Sequence, residues 1–114
     1  QTDKNQAKSL QPIMDRQQSI IVHFEGWINS LEPVHRLSEQ LRELLDNNED
    51  ADFDGHEIAI DGSHGTLYFY CDDSKELWDL IKPIIASADL LKCTKAILRL
   101  GKPEESPEQI IIHL

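Results

Sequence analysis

The apolar positions fall into successive blocks, and each block has a period that names its element. In residues 19–28 (SIIVHFEGWI), Ile20, Val22, Phe24 and Ile28 share one face, and Ile21, His23, Glu25 and Trp27 share the other. A period of two predicts a strand with one dry and one mixed face. Over 31–48 the period changes. Val34, Leu37, Leu41, Leu44 and Leu45 recur at spacings of three and four, which predicts an amphipathic helix. Ser30 is its expected N-cap, Pro33 fits the first turn, and Asn47 and Asn48 can end it. Residues 52–61 and 65–71 flank Gly62-Ser63-His64 and read as a hairpin. In its second strand Leu67, Phe69 and Cys71 suit a core face, while Thr66, Tyr68 and Tyr70 suit the wetter one.

A second helix is predicted over 74–91, with Leu77, Trp78, Ile81, Ile84, Ile85 and Ala88 as its stripe. Asp73 with Glu76 three residues on resembles a capping box, and Pro83 predicts a kink near 79–82. Residues 94–100 and 109–114 alternate again, joined by the Pro-rich loop GKPEESPE. The order is therefore β-α-β-β-α-β with one further strand. Two helices with single apolar stripes must cover one face of the sheet, and right-handed crossovers place the first and third strands centrally. The expected fold is α+β, a ferredoxin-like βαββαβ sandwich with an extra C-terminal strand. Two helices lie on one face of a mostly antiparallel five-stranded sheet, in the order 2-3-1-4-5. Residues 1–18, polar and glutamine-rich, are expected to form an N-terminal arm, and 19–114 a single α+β domain.

Charge narrows the range of functions. The 114 residues hold 21 acidic and 11 basic side chains, a net charge of −10. That surplus argues against general binding to nucleic acid or to an anionic membrane, both of which need Lys and Arg. No apolar run approaches the ~18 residues of a membrane span. Two cysteines, Cys71 and Cys93, are too few for a disulfide framework and suit a reducing, cytoplasmic setting. The charge is also uneven. Residues 46–61 hold seven acids and no Lys or Arg, whereas 92–102 hold Lys92, Lys95, Arg99 and Lys102 with no acid.

Several groupings could carry chemistry. Asp50, Asp52, Asp54, Gly55 and Asp61 are spaced like a calcium loop, making residues 50–61 a metal-binding candidate. Against this stand Glu57 at the eighth position, Asp at the twelfth, and the lack of an exit helix. His56, Glu57 and His64 could meet across the hairpin, but in no known zinc spacing. The face opposite the core presents His23, Glu25, Tyr68, Tyr70 and Arg99, a set suited to a small ligand, to acid–base work or to a homodimer contact. No phosphate loop, nucleophile elbow or spaced Cys–His pair is present, and no cofactor is implied.

The segments DGHEIAIDG, GTLYFYCDDSKELWDLIKPII and TKAILRLGKP resemble a group of small uncharacterised bacterial cytosolic proteins. Their pattern is a DGHE strand, a Gly-x-LYFY strand, a helix with an internal Pro and an RxG hairpin. The likeness covers about residues 52–114 and implies no activity. In size and charge the chain is also similar to acidic immunity proteins, which neutralise a cognate toxin of contact-dependent or polymorphic systems. Together these give a non-enzymatic bacterial binding protein as the leading expectation. Asp46, Glu49, Asp50, Asp52, Asp54 and Glu57 would form its partner-binding surface toward a basic toxin domain. The alternative is a ligand-binding or enzymatic homodimer using the open sheet face.

Overall fold

A computed structural model describes residues 17–25, 32–60, 62–88 and 92–114. Trp27, Ile28, the Ser30 cap, Asp61 and nearly all of the expected N-terminal arm lie outside the described residues. The elements are β1 (Gln18–Glu25), α1 (Glu32–Leu45), β2 (Ala51–Ile58), β3 (His64–Cys71), α2 (Ser74–Ala86), β4 (Lys92–Arg99), a 3-10 turn (Pro103–Glu105) and β5 (Gln109–His113). All pairings are antiparallel, and the sheet order is β2-β3-β1-β4-β5, as the crossover argument requires. The chain is thus an α+β fold with two helices and an open five-stranded sheet, consistent with the ferredoxin-like arrangement.

The core lies between the helices and one face of the sheet. Ile20, Val22 and Phe24 of β1, Leu67 and Phe69 of β3, and Ala96 and Leu98 of β4 meet two helical stripes there. Val34, Leu37, Leu41 and Leu45 come from α1, and Leu77, Trp78, Ile81 and Ile85 from α2. The first helix lies over β2, and the second over β4 and β1. Gly65 lets the Phe24 ring lie across β3, since a Cβ there would press on that ring and stand 2.6 Å from the Glu57 carbonyl oxygen.

Element boundaries differ from those predicted. The first helix stops at Leu45, where the Asn48 N–H returns to the Leu45 carbonyl at 3.0 Å. The second stops at Ala86 rather than 91, one turn after Pro83, with Ser87 donating back to Pro83 and Ile84. Strand β2 ends at Ile58, not 61, because the chain turns there, the Gly62 N–H donating to the Ala59 carbonyl at 2.8 Å. Gln18 belongs to β1 rather than to an arm, and its side chain accepts the Ser74 N–H at 2.7 Å, tying β1 to the start of α2.

Two bulges reset the strand faces. In β2 the pairing runs Phe53↔Phe69, then Gly55↔Tyr68, so one extra residue enters at Asp54. Gly55 takes φ of +115°, which a side chain rarely tolerates. After it, His56 and Ile58 join Ala51 and Phe53 on the helix side, while Glu57 faces the open side. In β4 the pairs His23↔Lys95 and Phe24↔Cys93 leave Thr94 extra.

Candidate functional site

The acidic residues named from sequence do not form one patch. Asp52 and Glu57 lie on the open face of edge strand β2, and Asp54 sits at its bulge. Asp46, Glu49 and Asp50 lie in the exposed connection from α1 to β2. There Asp50 approaches a second acidic segment that sequence spacing did not group with it. The Asp72 N–H donates to the Asp50 carbonyl at 2.9 Å, and Ala51 pairs with Cys71, so the start of β2 and the end of β3 close together. Asp50, Asp72, Asp73, Glu76 and Asp79 then rim a groove of about 490 Å³. Its floor is apolar: Ala51, Cys71, Leu77 and Leu80, the last 41% exposed. No Lys, Arg or His lines it among the described residues. Asp73 has a structural task there, since its carboxylate accepts the N–H groups of Lys75 and Glu76 as the cap of α2.

The metal candidates do not converge. The segment that resembled a calcium loop is a paired strand from Ala51 to Ile58. His56 turns to the helix side, where its Nδ1 lies 3.1 Å from the Ser38 hydroxyl and its ring centroid lies 5.8 Å from that of His35, the two rings tilted by 46°. His64 lies at the hairpin and shares a hydrogen bond of 3.0 Å with Ser63. Among the described residues no three His, Cys, Asp or Glu side chains gather as a metal site. Burial, with His35 and Arg42 adding, holds His56 below the ordinary imidazole value. Ser38 is 4% exposed, so this Ser–His pair ties α1 to β2 rather than meeting a substrate.

The open face is ordered in rows across the strands. The first row is Asp52–Tyr70–Ser19–Arg99–Gln109. The second is Gly55–Tyr68–Ile21–Ile97–Ile111, and the third is Glu57–Thr66–His23–Lys95–His113. Glu25 stands beyond these, opposite His64 and Lys92. The expected cluster of His23, Glu25, Tyr68, Tyr70 and Arg99 is therefore spread over four levels of the sheet. The structure brings Tyr70 and Arg99 together on either side of Ser19, and leaves His23 and Glu25 apart from them. Tyr68 instead reaches Glu57, donating at 3.3 Å. Burial raises the Tyr70 phenol above its ordinary value, with Asp54 and Tyr68 adding and Arg99 opposing. Burial also holds His23 low, aided by Lys95 and His64.

Neither cysteine is in a disulfide; Cys71 is buried and Cys93 half-buried, with burial raising the Cys93 thiol. No helix among the described residues is long and apolar enough to cross a membrane. Comparison with protein-family models, with curated proteins and with solved structures gives no match.

Proposed function

We propose that the protein is a non-enzymatic binding module that holds a basic protein partner on its acidic end. In its most concrete form it is an immunity protein that neutralises a cationic toxin domain. One observation carries the reading. Five carboxylates from two separate chain segments rim a groove with an apolar floor, and no cation among the described residues lines it. Such a groove complements a Lys- or Arg-bearing segment whose aliphatic stems lie on Leu77 and Leu80 while their heads meet the rim. A toxin that binds polyanions would present that kind of surface, and occupying it would block its substrate. The carboxylates on β2, Asp52, Asp54 and Glu57, extend the negative field and speed encounter.

The test is capture of a basic partner from native lysate on immobilised protein at low and high salt. The expected result is one cationic protein, retained at low salt and released as salt screens the contact. Reversal of the rim with Asp50→Lys and Glu76→Lys abolishes its capture. A Glu104→Lys, Glu105→Lys control, on the β4–β5 connection, leaves it intact. Equal capture by the rim variant and by the wild type would remove the groove from the interface and the reading with it.

A further inference from the structure

The first row of the open face contains an anomaly that the acidic groove does not explain. Ser19 is 4% exposed although it points away from the core, and its hydroxyl has no hydrogen-bond partner among the described residues. Arg99 is its register neighbour on β4, and the Arg99 Nε is likewise buried and without a partner. Buried polar atoms are paired in the great majority of cases, so two neighbouring donors left unpaired at one spot call for a missing acceptor. A small pocket of about 70 Å³ adjoins them, lined by the residues Ser19, Ile21, Tyr68, Tyr70 and Arg99. Liquid water occupies about 30 Å³ per molecule, so the space fits a group of about two waters' volume.

We infer that this pocket binds the carboxylate of a small ligand with an apolar body, the carboxylate oxygens accepting from Arg99 Nε and Ser19 Oγ. The charge balance selects a monoanion. Among the described residues Arg99 is the one cation lining the pocket. A dianion such as phosphate would meet a single guanidinium and too few donors. The adjoining row selects the body of the ligand. Tyr68, Ile21, Ile97 and Ile111 run across the sheet directly beside the pocket, and Ile111 is 52% exposed. An aliphatic or aromatic chain lies along that row while its head fills the pocket. The site shares no residue with the acidic groove, so it stands or falls independently of the partner-binding reading.

Octanoate is the probe, titrated into the full chain and followed by amide and arginine side-chain NMR. Saturable shifts are expected at Ser19, Ile21, Ile97 and the Arg99 Nε–H. Octanol, which lacks the charged acceptor, binds weaker by about tenfold or more, the loss that one charge-assisted hydrogen bond carries; acetate and phosphate, which lack the apolar chain, bind weaker by about tenfold or more through lost apolar burial. Arg99→Met and Arg99→Lys both weaken octanoate by a similar factor, the second because it keeps the charge and loses the Nε donor. A Lys95→Met control leaves binding unchanged. Ser19→Ala gives the separate signature of a ligand site: weaker octanoate binding with a melting temperature equal to or above that of the wild type, since the hydroxyl it removes is unpaired in the free protein. If Arg99→Met fails to fold, Arg99→Lys and Ser19→Ala decide the matter. Octanol binding as tightly as octanoate, phosphate binding as tightly as octanoate, or unchanged octanoate affinity in Arg99→Lys would each overturn the assignment. So would a Ser19→Ala variant that melts lower and binds unchanged.

Discussion

Asp73 is the residue on which the acidic end depends most for its shape. Its carboxylate takes two orphan amides of α2, from Lys75 and Glu76, each at 3.1 Å, and the negative charge also suits the positive end of the helix dipole. Replacing it with Ala removes both bonds. We expect Asp73→Ala to lower stability by about 1 kcal/mol in urea denaturation, with the slope of the transition unchanged. The rim therefore contains carboxylates of two kinds. Asp73 holds the helix start, whereas the Asp50 side chain lies outside the cap and Glu76 gives Asp73 its N–H and not its carboxylate. Ser19 and Arg99 differ from all of these: the Ser19 hydroxyl and the Arg99 Nε are buried with no hydrogen-bond partner among the described residues.

Among the elements, β2 is the most distinctive. Its bulge at Asp54–Gly55 sets Phe53 and His56, three residues apart, on the same side, where Arg42 lies over the Phe53 ring at 5.5 Å and Ser38 meets His56. A Cβ at Gly55 would meet only the Arg42 guanidinium at 4.0 Å, so the cost of Gly55→Ala is backbone strain at φ +115° and not crowding. The expected loss is about 1–3 kcal/mol, read by chemical denaturation, together with loss of the His56–Ser38 contact in NMR spectra. This bulge also marks where the sequence stops being legible. The stripe from Val34 to Leu45 and the alternation in β3 come from local periods, and both helices and all five strands followed from them. The segment DFDGHEI has no such clarity, because Asp-Gly serves a turn, a calcium loop and a bulge equally well, and only pairing with β3 decides. The sites follow the same rule. Tyr68, Tyr70 and Arg99 were readable as residues facing the open side. Ser19 was not, since its burial comes from neighbours on two other strands. Asp72 and Glu76 were not joined to Asp50 because the chain separates them and the β2–β3 register brings them back.

For the whole molecule, the histidines set a pH dependence distinct from that of the many carboxylates. His23 and His56 are both held below the ordinary value of 6.5, so the unfolded chain takes up these protons more readily than the folded one. Their contribution to stability is complete above about pH 6.5 and is lost as pH falls through the lower folded values. Melting temperatures measured across that range should fall with acidification, and His56→Gln should flatten the slope. An unchanged slope in a His23→Gln, His56→Gln double variant would assign the effect to carboxylates instead. The sheet order has one more effect. Strand β1 lies between β3 and β4, and its register joins Ser19 to Tyr70 on one side and to Arg99 on the other. Of the five strands β1 is made first, and its second edge is covered only when β4 is made. Translation adds about 5–20 residues per second, so the run from Ile20 to Phe24 waits several seconds for Ala96 and Leu98 to be made. Until then the strand that will stand at the centre of the sheet keeps one hydrogen-bonding edge open.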